Sequence, residues 1–154
     1  MHSAVTHLVI PCDHPPTLTE RPLMTTPEKD RTPPVALAAV NLADKFARFE
    51  EHWSPKIIAE TNGWEIKLVK AKGGFIWHHH DIDEVFCVFS GHLTIHLANQ
   101  QDIQLHPGEI FVVPKGVEHR PEAEQECQLL LLEPAGEINT GQSTSALTAV
   151  DEWI

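Results

Sequence analysis

Residues Trp77 to Gly91 read WHHHDIDEVFCVFSG, and this stretch decides the fold. In an extended strand the side chains alternate between faces, so His78 and His80 point the same way, about 7 Å apart along the backbone. Glu84 keeps their parity and adds a carboxylate. Two imidazoles and a carboxylate on one face are ligands for a metal ion that still needs a further donor. The stretch Gly108 to His119, GEIFVVPKGVEH, offers His119 after a tight Pro114-Lys115-Gly116 turn. The expectation is a site of His78, His80, Glu84 and His119 inside a small β-barrel. His79 has the opposite parity and is expected off the metal.

Outward from this stretch the pattern is all β. Lys56–Thr61 is an expected strand, and Asn62-Gly63 is a strong hairpin signal. Trp64–Ala71 alternates, with Trp64, Ile66 and Leu68 on one face and Glu65 and Lys67 on the other. A strand over Phe75–His80 follows the Gly73-Gly74 turn, and Asp81–Asp83 breaks it. Glu84–Ser90 is apolar on both faces, as in a strand between two layers. His92–Leu97, Asp102–Leu105, Ile110–Val113, Val117–Arg120 and Glu126–Glu133 complete the set. Short strands with regular Gly and Pro punctuation indicate a barrel or sandwich.

Before the strands, Asn41–Glu50 reads as a short helix. Asn41 is a good N-cap with Asp44 three residues on. Leu42, Phe46 and Phe49 form one apolar stripe, and Pro55 stops the helix. Residues 1–34 hold seven of the twelve prolines and no periodicity. They read as a proline-rich arm or disordered leader, in which Val5–Ile10 is a short extended piece and Met24 an alternative start of translation. The domain reading is an arm over 1–34, a helical lead-in over 35–55, a barrel over 56–134 and an irregular C-terminal tail over 135–154.

These residues resemble the cupin superfamily. Its first motif ends in His-x-His, three or four residues, Glu, six residues, Gly, and here His78, His80, Glu84 and Gly91 stand at those spacings. Its second motif is Gly, five residues, Pro-x-Gly, two residues, His, and Gly108, Pro114, Gly116 and His119 match it. Lys72 stands where the first motif has its leading glycine, and Ala123 where the second often has Asn. The resemblance covers about Lys56 to Pro134. It implies an antiparallel jelly-roll β-barrel, a metal near its axis and a homodimer.

Composition bounds the rest. The 154 residues are 42% hydrophobic and 21% charged, with a formal net charge of -11. That surface argues against nucleic acid, whose affinity comes mostly from neutralised phosphates, and against anionic membranes. No apolar run approaches the roughly 20 residues of a membrane span. With no signal-peptide pattern at the N-terminus, the expected compartment is the cytoplasm. Cys12, Cys87 and Cys127 follow no paired spacing and are expected to be non-functional, Cys87 as a small hydrophobe in an apolar strand.

Three imidazoles and one carboxylate suit a borderline divalent ion: Fe, Mn, Ni, Co, Cu or Zn. The chemistry expected of such a site is a metal-dependent enzyme acting on a small polar organic molecule. The resemblance implies a fold on which isomerase, dioxygenase and decarboxylase chemistries all occur, and it does not choose among them. The competing reading is a non-catalytic module that binds a sugar or acid; a purely structural site is the third. The sequence names no catalytic acid or base, although Asp83 and Glu118 are rim groups within reach of the motif and Asp81 is a third rim charge. The remaining histidines have plainer readings. His92 and His96 face solvent, His106 precedes Pro107 in a turn, His52 ends the helix, and His2, His7 and His14 lie in the arm. Trp77 and Phe75 read as packing.

Overall fold

In the computed structural model of the chain, the residues described are 38–154. The arm over 1–34, with its histidines, Cys12 and Met24, lies outside them. The first element is α1, Leu42–Phe46, shorter than the sequence pattern suggests. Its N-terminus is capped as expected, the Asp44 N–H donating to Asn41 Oδ1 at 3.2 Å. Phe46 and Phe49 are buried against Leu68, with Leu42, Ile58, Leu130 and Ile154 around them. Burying such side chains stabilises by roughly 1.5–3 kcal/mol each, so this small cluster holds a five-residue helix that its own hydrogen bonds could not.

Eight strands follow: β1 Lys56–Thr61, β2 Trp64–Gly74, β3 Glu84–Ser90, β4 Leu93–Leu97, β5 Ile103–Leu105, β6 Ile110–Val113, β7 His119–Pro134 and β8 Glu152–Trp153. β1 and β2 form the expected hairpin, with Asn62 and Gly63 both at positive φ (52° and 76°) as a primed turn requires. The ladder runs β5-β4-β7-β2-β1-β8, and β3 pairs with β6 and β7. All pairs are antiparallel except β1 with β8. β7 is the spine. It pairs with β2 along most of its length, with β4 near its start and with β3 near its end. The two strands expected over 117–120 and 126–133 are thus one. Pro121 and the acidic run behind it do not interrupt the strand, because Pro121 has no N–H to place and its carbonyl accepts from Phe75 N at 2.9 Å.

The hydrogen-bond path has free ends at β5, β6 and β8, so the ladder does not close into a ring among the described residues. The sheet nevertheless surrounds one core. Val69 and Ala71 of β2, Phe86 and Val88 of β3, Leu93 and Ile95 of β4, and Leu129 and Leu131 of β7 belong to a single buried cluster. Gly91 makes the β3–β4 corner at φ 85°, and a Cβ there would stand 2.7 Å from Glu126 O, so no side chain fits. No described helix is long and apolar enough to cross a membrane.

Two further expectations change, and the choice of inner face on β2, which alternation left open, is made. Phe75–His80 is not a regular strand; only His78 pairs, in an isolated bridge with His119. On β2 the charged face is the inner one, for Glu65 and Lys67 share parity with Val69 and Ala71 and are buried, while Trp64 is exposed. The segment over 135–154, expected as an irregular tail, consists of turns but ends in β8 beside β1, where Ile154 N–H donates to Ile57 O at 3.2 Å.

Candidate metal centre

The bridge between His78 and His119 sets the site. His78 N–H donates to His119 O at 3.0 Å, and His119 N–H returns a bond to His78 O at 2.9 Å. Residues that exchange both bonds sit directly opposite each other with side chains on one face, and the two rings lie 4.3 Å apart between centroids. Glu84 enters from the start of β3. The Pro114-Lys115-Gly116 turn is fixed against the histidine loop: Gly116 N–H donates to His80 O and Lys115 N–H to Asp83 Oδ1, each at 2.8 Å.

Hydrogen bonds select the tautomers. His78 Nδ1 lies 3.0 Å from Ile76 O, and His119 Nδ1 lies 2.9 Å from Val117 O. A carbonyl only accepts, so both rings carry their proton on Nδ1. His80 Nδ1 meets the Glu137 Oε1 carboxylate at 2.9 Å with the same consequence. A neutral imidazole then presents a bare Nε2. His119 Nε2 stands 3.1 Å from Glu84 Oε2, and His80 Nε2 stands 3.6 Å from the same oxygen. His80 Nε2 is buried with no hydrogen-bond partner. Lone pairs aimed at a carboxylate repel unless a cation or proton lies among them. The donor set therefore fits a cation.

The ionisation of the group agrees. Burial first, and then the neighbouring His119, pull the His78 imidazole down to about 4. Where a proton rather than a cation lies between the rings and the carboxylate, burial pushes Glu84 up, but the His119 hydrogen bond that the proton makes and the charges of His80, His119 and His78 outweigh it and hold the carboxyl below its ordinary value. Neutral imidazole and ionised carboxylate are the forms that ligate a metal.

Of the four residues singled out in the sequence, His78, Glu84 and His119 each offer a ligand atom within 4.8 Å of the others and form a group able to hold a metal ion. His80 is outside that group but borders it. His79 is half-buried and also outside, and its carbonyl is used by Gln142 N–H at 3.3 Å. Asp81, Asp83 and Glu118 are exposed; Asp83 accepts from Lys115 N–H and Asp81 from the Gln142 side-chain amide. Phe75 is buried, edge-on to His78. Trp77 departs from the packing expectation: it is exposed, with the Arg120 guanidinium over its ring at 5.9 Å. His96, expected to be solvated, is half-buried between Asp102 and Glu122 on the outer face.

A cavity of about 30 Å³ adjoins the group, with His78, Glu84, Phe75, Phe86, Glu133 and Asn139 in its wall. It has room for about a water or two. Sequence reasoning missed Glu133, which burial and then the Glu84 charge push up to about 8. Its signal was present: Leu129, Leu131 and Glu133 share one strand parity. Glu137 and Asn139 lie in the segment without periodicity, where pattern reading has no purchase.

Comparisons with known proteins identify the family and the fold. The cupin domain family matches residues 66–133. A cupin-2 domain containing protein from Shewanella frigidimarina, of known crystal structure, is 51% identical over 62% of this chain and 93% of its own, with a TM-score of 0.60. The uncharacterised protein YdbB of Bacillus subtilis is 36% identical over 64 residues, which is 41% of this chain and 57% of that protein, so the match spans little more than half of that relative. Hydroquinone 1,2-dioxygenase from Sphingomonas, solved with 4-hydroxybenzoate bound, shares the fold at 17% identity, with 64% of this chain and 32% of that one covered and a TM-score of 0.60.

Proposed function

The chain belongs to the cupin superfamily, and from that premise we propose that His78, His80, Glu84 and His119 hold one divalent transition-metal ion for an enzyme acting on a small polar organic molecule. The observation that carries this reading is the convergence of bare imidazole nitrogens on Glu84 Oε2, at 3.1 Å from His119 and 3.6 Å from His80. When bound, such an ion supplies a Lewis acid with open positions at which a substrate carbonyl, enediol or phenolic oxygen is polarised. Phe75, Phe86, Leu129 and Leu131 give the cavity the apolar part of its wall. Glu133 is the group in its wall suited to hold and release a proton near neutral pH. The fold shared with a hydroquinone dioxygenase makes a phenol the first substrate to screen, ahead of isomerase and decarboxylase substrates.

Elemental analysis of protein made without an affinity tag tests the metal, with about one ion per chain expected. An oxygen-uptake screen with phenols tests the chemistry. One observation favours a second reading, a non-catalytic binding module: a cavity of about 30 Å³ admits water but not an organic substrate in this conformation. Metal without turnover of any candidate would select it.

The protein is further proposed to work as a homodimer in the cytoplasm. Phe89 of β3 and Ile110 and Val112 of β6 are exposed on one apolar patch beside a free strand edge, which a second copy would cover. The unpaired Cys87 and Cys127 suit a reducing compartment. Burial pushes the Cys127 thiol up to about 12, which leaves it inert.

A further inference from the structure

The segment after β7 lies beyond the matched family region and returns over the histidines. Glu137 Oε1 holds His80 Nδ1 at 2.9 Å. Gln142 N–H donates to His79 O, and its side-chain amide donates to Asp81 Oδ2, each at 3.3 Å. Asn139, in the cavity wall, donates to Trp53 O at 3.1 Å and Leu147 O at 2.8 Å. Gly141 sits between these contacts at φ 54°, where an added Cβ would stand 2.0 Å from His79 O and 3.3 Å from His80 Nδ1. The segment is fitted to the histidine loop at a distance only glycine allows.

The contact from Glu137 has a chemical consequence. A neutral imidazole can carry its proton on either nitrogen, and only one tautomer leaves Nε2 free toward Glu84. The Glu137 carboxylate keeps the proton on Nδ1 and orients the ring. His80 stands outside the tightest ligand group, so it is the ligand whose aim depends most on an outside partner. The backbone of Glu137 is fixed too, its carbonyl accepting from the buried Lys67 Nζ at 3.3 Å.

We propose that Glu137 is a positioning residue for His80, and that residues 137–142 form a clasp whose docking and divalent-metal binding at the histidine site stabilise each other. This rests on the metal reading above. The coupling is reciprocal by thermodynamic necessity: a docked clasp tightens the metal, and the metal makes the clasp harder to open.

Cobalt(II) on the full chain is the probe, read by affinity, by ligand-field absorption and by amide hydrogen exchange across 137–150. Glu137→Ala is expected to weaken cobalt binding about 10–100-fold and to change the absorption spectrum. Glu137→Gln should retain most of both, because its amide oxygen still accepts from Nδ1. Gly141→Ala, which removes no ligand, should weaken cobalt in the same direction by displacing the clasp. In the unaltered chain cobalt should slow exchange across 137–150, and Glu137→Ala should abolish that slowing. Wild-type affinity and spectrum in Glu137→Ala would overturn the proposal, as would exchange that ignores cobalt. If the unaltered chain binds no cobalt at all, the metal reading falls and takes the clasp with it, an outcome distinct from binding that Glu137→Ala leaves intact. Should Gly141→Ala fail to fold, the comparison of Glu137→Ala with Glu137→Gln decides by itself.

Discussion

Two buried polar clusters meet at one cavity, and they solve the same problem differently. Glu84 and Glu133 both line it. Around Glu133 the chain supplies its own cation: Lys67 Nζ lies 2.8 Å from Glu133, 3.1 Å from Glu65 and in contact with Asp151. Burial pulls the Lys67 ammonium down, but Glu133 and Asp151 outweigh it and hold it above its ordinary value, so the charge is permanent. Around Glu84 the partners are the imidazoles of His80 and His119, with His78 beside them pulled down to about 4 by burial, and no lysine or arginine pairs with it among the described residues. Burying a carboxylate is costly unless it is paired. A covalent cation makes the first cluster part of the fold, while the second, on the metal reading proposed above, takes its cation from solution.

Lys67→Met should give the largest effect. It removes the ammonium from among Glu65, Glu133 and Asp151, and breaking a buried pair in this way costs about 3–5 kcal/mol. Urea unfolding of the metal-free protein measures it, and an unchanged midpoint would remove the contrast between the clusters. His119→Ala is the matching cut in the other cluster. Metal per chain should fall from about one to background, while the metal-free unfolding midpoint moves less than in Lys67→Met. A larger midpoint shift for His119→Ala would reverse the roles assigned to the two clusters.

A smaller, pH-dependent effect separates them further in metal-free protein. Glu133 keeps its proton up to about 8 in the fold but has an ordinary value of 4.5. Between those values the folded state binds more protons than the unfolded, so stability falls as pH rises. His78 works the other way, at about 4 folded against 6.5 ordinarily, so its contribution rises with pH across that window and is lost on acidification. Above 6.5 the Glu133 decline stands without the opposing His78 term. Glu133→Gln should flatten the stability profile between pH 6.5 and 8, and a decline that persists would locate its source elsewhere. Metal affinity should itself fall as pH drops through the histidine range near 6.5, because protons compete for imidazole.

The two clusters also differed in how well the sequence revealed them. Parity along Trp77–Gly91 brought out His78 and Glu84, and turn chemistry at Pro114-Lys115-Gly116 brought out His119, because both are local rules. The same rules set the bounds of β1, β3 and β6 as they stand in the structure. Alternation along β2 separated Glu65 and Lys67 from Trp64, Ile66 and Leu68, yet it says nothing about which face is inside. The continuation of the Glu65 and Lys67 face into Val69 and Ala71 carried that signal. The ions are inside because Glu133 and Asp151 arrive from sequence-distant β7 and the residue preceding β8, and no window on β2 contains them. Glu137 escaped for a similar reason: it acts 57 positions from His80, in a segment with no repeat to read.

The smallest expected effect is the sharpest check on the ligand register. His79 lies between two of the proposed ligands, and a strand shifted by one residue would exchange its role with theirs. The bridge argues against that shift, since His78 exchanges both backbone bonds with His119 and places its own side chain beside that ring. What the site takes from residue 79 is its carbonyl, which accepts from Gln142 N–H and which any residue supplies. His79→Ala should therefore leave metal per chain unchanged and stability within about 0.5 kcal/mol, as for a substitution away from core and site. His80→Ala, made beside it, should weaken metal binding strongly. If His79→Ala lost the metal and His80→Ala kept it, the inward set would be the odd-numbered residues, and Glu84 would have to give up its place to a neighbour such as Asp83. Asp83 is exposed and already engaged with Lys115 N–H at 2.8 Å, so that outcome would require the loop over 78–84 to refold.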